Sequence, residues 1–164
     1  MRFRDAWGVW CTISNIAFVW PQVWRTVRHD TTHGISPFAT LHGMVGAALW
    51  FTYGLQEAIP AMWVANASFL TAQSIMGAVM LRQGRMDRLF VLRFVTALVI
   101  LLSVGLPVSP AVVGWMATVV SSSSMVPTVV HVAREKNLHG ISVLSWGITI
   151  ASAEHRDPVE VFLP

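Results

Sequence analysis

Three stretches of this chain carry no charged residue: 6–24, 31–56 and 58–81, of 19, 26 and 24 residues. A helix rises about 1.5 Å per residue, and a hydrocarbon layer about 30 Å thick needs roughly 20 helical residues to cross. Each stretch is therefore long enough to span a membrane. The composition agrees, with 54% hydrophobic residues, 12% charged residues and eight Trp in a chain of 164, outside the usual range of soluble domains. The expected fold class is an all-α, multi-pass membrane protein.

In order, the pattern predicts helices at about 6–26, 36–56 and 58–81, then a basic connection. A fourth follows at 89–106, with Arg93 one turn inside, where its side chain can snorkel to the interface. Pro107 and Pro110 break the apolar run and open a fifth helix at about 111–133. A sixth begins near residue 141 but has only about 13 uncharged residues before Glu154, too few to span. About six helices are expected, the last one short.

The chain also repeats itself. A shift of 106 residues carries Pro21 onto Pro127, Arg28 onto Arg134, and His33-Gly34-Ile35-Ser36 onto His139-Gly140-Ile141-Ser142. One odd helix, the fourth, lies between the copies, so both begin on the same face and are parallel. This predicts parallel three-helix-bundle repeats joined by a linker helix: residues 1–87, 88–109 and 110–164. Loops between helices 1–2, 3–4 and 5–6, with the flanking helix ends, carry eight of the 11 Lys and Arg residues. The positive-inside bias puts that side in the cytoplasm and the N-terminus outside, in the cell membrane. The first apolar stretch has no small-residue cleavage site, so no cleavable signal peptide is expected.

Several residues within the predicted spans can carry function. Pro21 and Pro127 each remove a backbone donor inside a helix and act as a paired hinge, although membrane helices also tolerate a static proline kink. Trp50 lies six residues before the end of helix 2 and Asn66 eight residues after the start of helix 3, so the two stand at matching depth. An indole face suits the C–H side of a sugar ring, and a carboxamide suits its hydroxyls. A belt tryptophan and an interhelical amide clasp fit the same residues. Asn15 and its repeat equivalent Ser121 are mid-span polar residues expected to line the substrate path, or to bond back to their own helices. His42 has no second metal ligand three or four residues away and reads as a packed or bonded histidine.

The exclusions narrow the class. A single Cys11 leaves no disulfide and no thiolate metal site. A pI near 10 could indicate nucleic acid, but the basic residues cluster in loops between spans, so no nucleic-acid partner is expected. Every Asp and Glu lies in a loop or at a helix edge, which argues for uncoupled movement of a neutral solute. No nucleotide loop, metal cluster or nucleophile triad is present, and neither an enzyme, a metal nor a cofactor is expected.

Pro21-Gln22 with Ser36 15 residues on, the run Leu49-Trp50-Phe51-Thr52-Tyr53-Gly54, and Asn66 16 residues after Trp50 together resemble the PQ-loop superfamily. Within it they are similar to the SWEET and semiSWEET sugar transporters. The resemblance covers residues 10–80 well and 111–150 in part. It implies facilitated diffusion of mono- or disaccharides by rocking of bundles, with Trp50 and Asn66 on the sugar. It also implies that Tyr53 belongs to the outer gate and that Pro21, Pro37 and Pro127 are hinges.

The second copy departs from the pattern. Thr128 replaces Gln22, Val143 replaces Pro37, and the equivalents of Trp50 and Asn66 fall on Arg156 and beyond residue 164. An incomplete second bundle is expected, so that a full pore requires a second chain and the protein forms a homo-oligomer. The alternatives are a PQ-loop carrier of amino acids or other small polar solutes, and a non-transporting membrane scaffold or inactive truncated form.

Overall fold

The computed structural model describes residues 3–123. They form five helices: α1 (Phe3–Arg28), α2 (Pro37–Gln56), α3 (Pro60–Arg82), α4 (Arg88–Gly105) and α5 (Pro110–Ser123). The all-α class holds, with no strand among the described residues. All five helices belong to one compact unit, Met1–Val126; a second unit, Pro127–Pro164, lies outside the described residues. The expected sixth helix, Pro127 and the second His-Gly-Ile-Ser block fall there.

The helix boundaries follow from local chemistry. Ser36 caps α2, its Oγ accepting from the Ala39 N–H at 3.3 Å, which satisfies one of the donors a helix start leaves unpaired. Pro37 is the first residue of α2, a position where its missing N–H costs no hydrogen bond. Pro37 therefore opens this helix rather than interrupting it. Pro21 differs, because α1 runs continuously through it and the carbonyl at Ala17 loses its i+4 donor.

Three helices end in the same way. The N–H of Thr31 bonds to Thr26 O at 3.2 Å, that of Ile59 to Gly54 O at 2.8 Å, and that of Arg85 to Met80 O at 2.9 Å. Each closes the 6→1 turn of a Schellman motif, which needs a left-handed residue just past the cap. Those residues are Asp30, Ala58 and Gly84, with φ of 45°, 52° and 68°. Glycine takes that conformation freely, whereas alanine is held there against its preference.

Packing orders the helices in a row. α3 lies between α1 and α2, and α5 lies on the far flank of α2, while α4 rests on α2 and α5. The α1–α3 seam is Val19 and Val23 against Ala72 and Met76. The α2–α5 seam is Val45 and Leu49 against Val113 and Ala117. The α1–α2 loop is tied to the α3–α4 turn by the Arg82–Asp30 ion pair. Arg85 adds bonds to the buried Thr32, through Oγ1 at 2.6 Å, and to Ile35 O at 3.2 Å.

Among the described residues two helices, α3 and α4, are long and apolar enough to cross a membrane by length and composition. In α2 the absence of charge is offset by His42, three glycines, two threonines and a terminal Gln, which lower its hydropathy. In α1 the uncharged stretch includes Asn15, Pro21, Gln22 and four tryptophans, which lower it in the same way.

Candidate functional site

A short turn makes α2 and α3 antiparallel, and the glycines of α2 fix how closely they approach. A Cβ on Gly54 would stand 3.0 Å from the Trp63 backbone nitrogen, so the pair touches almost backbone to backbone at the turn. The same register sets Trp50 opposite Asn66 and Gly43 opposite Gln73. Between these levels the helices border a half-open cavity of about 240 Å³.

Trp50, Gly46, Gly43 and His42 of α2 line one wall, Asn66 and Phe69 of α3 another, and Ser121 of α5 closes the third. Among the described residues no Asp, Glu, Lys or Arg lines it. Ser121 can stand so close because residue 46 is glycine: a Cβ there would lie 2.9 Å from the Ser121 Oγ, inside contact distance.

The polar groups are arranged with direction. Trp50 Nε1 donates to Ser121 Oγ at 3.1 Å, which fixes the indole plane. Asn66 Nδ2 donates to the Met62 carbonyl one turn back, at 2.8 Å. Its Oδ1 and second amide hydrogen have no partner among the described residues. His42 Nε2 stands 2.8 Å from the Val120 carbonyl and 3.0 Å from Ser123 Oγ. A carbonyl only accepts, so Nε2 carries the proton, and in the neutral ring Nδ1 is an acceptor. Phe38 stacks on that ring at 5.5 Å and 15°.

Of the residues expected from sequence, Trp50, Asn66 and Ser121 meet in this one cavity. Tyr53 stands outside it, its ring edge-on to Trp50 at 5.9 Å and 3.1 Å from where a Cβ on Gly114 would be. Pro21 is exposed on α1. The side chain of Asn15 and all of Pro127 lie outside the described residues. Sequence reasoning did not assign His42, Gly43, Gly46 or Phe69 to the site. The signal was available, since His42 is eight residues before Trp50 and Phe69 three after Asn66, both helical spacings.

A larger cavity of about 460 Å³ lies between α1 and α3, beside Gly8, Thr12, Pro60 and Ala61. Among the described residues its one hydroxyl, on Thr12, bonds to the Gly8 and Ala61 carbonyls at 2.9 and 3.2 Å, so no described polar group converges on the space. Among the described residues no three His, Cys, Asp or Glu side chains gather to hold a metal.

No protein-family model, no curated protein and no solved structure matches this chain.

Proposed function

We propose that this protein is a membrane carrier of the SWEET type, passing a neutral sugar by facilitated diffusion and alternating access. The observation that carries the reading is the convergence of the Trp50 indole, the partly unengaged Asn66 carboxamide and the Ser121 hydroxyl on one uncharged cavity. A ring with apolar C–H faces and peripheral hydroxyls matches that set: stacking on the indole, hydrogen bonds to the amide. The absence of charge on the lining fits a neutral solute.

The outer surface supports a lipid environment. Large apolar side chains cover the bundle's exterior, with Phe18 at 81% and Trp115 at 71% of full exposure. On α4 only 6% of the most apolar stretch is buried, the reverse of what the core helix of a water-soluble protein would show. Soluble monomers rarely expose contiguous apolar patches beyond a few hundred Å², whereas lipid tails cover them without cost.

The volume bears on which sugar. About 240 Å³ is below the roughly 300–1,000 Å³ of pockets for drug-sized ligands, and so suits a single ring. In this reading Tyr53 packs between the site and the α2–α3 turn as part of the outer gate, and Pro21 supplies the hinge in α1. The multi-pass topology, outward N-terminus, cell-membrane location, parallel repeat and homo-oligomeric assembly belong to the same proposal.

Uptake of labelled glucose and sucrose into proteoliposomes tests it, with Asn66→Ala beside the unaltered protein. Glucose entry above empty vesicles that Asn66→Ala abolishes is the expected result. Equal entry with both proteins would remove Asn66 from the site, and none with either would refute the carrier.

A further inference from the structure

The end of the bundle where α1 and α3 finish and α4 starts is strongly basic. Among the described residues it carries Arg25, Arg28, Arg82, Arg85, Arg88 and Arg93 against two carboxylates, Asp30 and Asp87. Arg82 is paired with Asp30, and Arg85 is bonded to Thr32 and to the Ile35 carbonyl. Arg25 and Arg28 differ. Both are exposed in the last turn of α1, and neither makes an ion pair among the described residues. Their spacing of three sets them side by side on the helix surface, where like charges are unfavourable without an anion between them.

One turn below, Trp24 is 66% exposed, and the Arg28 guanidinium lies over its ring, 5.9 Å from the centroid. The Trp24 indole N–H has no acceptor among the described residues, whereas that of Trp20 donates to Ser68 Oγ at 2.9 Å. From Trp24 the exposed face continues without charge through Trp20, Ala17 and Ile13, in steps of three and four that keep one side of the helix. Trp24 to Ile13 is 11 residues, about 16 Å along the axis. That is close to half of a hydrocarbon layer about 30 Å thick, the depth of one leaflet.

We propose that this face of α1 holds an anionic phospholipid. Its phosphate sits between Arg25 and Arg28, its headgroup oxygens accept from the Trp24 N–H, and an acyl chain lies along the apolar face below. A free phosphate meets the charges but leaves that face uncovered. A second copy in the same membrane orientation, packed here about a two-fold axis, brings each Arg28 against its equivalent with no carboxylate between them. An anionic amphiphile satisfies both parts of the surface. The positive-inside bias assigns this end to the cytoplasmic leaflet, where anionic lipids concentrate.

The inference rests on the lipid environment proposed above and not on the sugar cavity, so lipid retention and glucose uptake can fail separately. The full chain in detergent is mixed with equal amounts of palmitoyl-oleoyl phosphatidylglycerol and phosphatidylcholine, which share their acyl chains. Native mass spectrometry counts the lipids retained. Each arginine near an anionic headgroup favours binding roughly fivefold, so the pair predicts a preference of about thirtyfold for phosphatidylglycerol. Arg25→Gln with Arg28→Gln should bring the ratio close to one. Arg88→Gln with Arg93→Gln removes the same charge from the same end and should leave it largely unchanged. Trp24→Phe keeps a ring, loses the N–H and should lower it about threefold. In the unaltered protein, concentrated ammonium acetate should shrink the preference severalfold, a readout that needs no variant to fold.

Equal retention of the two lipids by the unaltered protein, a preference insensitive to salt, or one that survives in Arg25→Gln with Arg28→Gln overturns the proposal. Equal loss in Arg88→Gln with Arg93→Gln overturns the placement on α1. Displacement of the lipid by glycerol 3-phosphate overturns it in favour of a soluble anion. A dimer mass that Arg25→Gln with Arg28→Gln alters, with no lipid retained, overturns it in favour of a second copy.

Discussion

At the scale of single residues, the indole of Trp50 has two separable parts. Its N–H holds Ser121 across the α2–α5 seam, while the ring system lines the cavity. Trp50→Phe keeps a face and loses the bond, so transport should persist while unfolding free energy falls by about 0.5–1.5 kcal/mol. Trp50→Ala should abolish saturable uptake. Uptake curves and denaturant melts of the two variants read these effects separately, and equal loss of transport in both would mean that the N–H, not the face, matters. The turn residue Ala58 gives a cleaner stability test. Held at φ 52°, it carries a left-handed strain that Ala58→Gly relieves, for a gain of about 1 kcal/mol. An unchanged melting temperature would count against the Schellman ending of α2.

At the scale of elements, α2 is shared by every other contact that builds the site. It meets α3 through Gly43 and Gly54 and α5 through Gly46, while Tyr53 lies on Gly114 of α5. Glycine is used on both helices where the other side approaches, so Gly46→Val forces the α2–α5 seam apart. That overpacking should cost about 1–3 kcal/mol and displace Ser121 from Trp50, seen as a lower melting temperature together with reduced uptake.

Helix α4 tests the environment instead. Val99 is 56% exposed near the middle of an apolar helix. Arginine at the centre of a spanning helix costs about 2.5–3.5 kcal/mol on insertion. Val99→Arg should therefore lower the yield of membrane-inserted protein, measured in membrane fractions. An undiminished yield would place that face in water.

For the molecule as a whole, a cavity sized for one ring predicts glucose entry well above sucrose entry. Equal rates for the two sugars would contradict a single-ring site. The loop ties add little at long range. The Arg82–Asp30 pair is more than half exposed on both sides and is worth at most about 1 kcal/mol. Arg85→Ala should destabilise more than Asp30→Ala, because it removes bonds to the buried Thr32 and to the Ile35 carbonyl at once. Chemical melts of the two variants rank them.

The sequence by itself determined the helical class, the limits of the first four helices to within a few residues, and the matching depth of Trp50 and Asn66. All three rest on properties of neighbours along the chain: uncharged runs, cap and turn residues, and a short turn that forces antiparallel register. A shift of 106 residues also sets Ser121 against Asn15.

Only the tertiary structure decided that Ser121 stands against Trp50, that His42 reaches the Val120 carbonyl, and that Gln73 carries a buried acceptor with no described partner. Those facts depend on which helix lies beside α2. That choice is made by the fit of glycines and small side chains across the seams, and no periodicity within one segment encodes it.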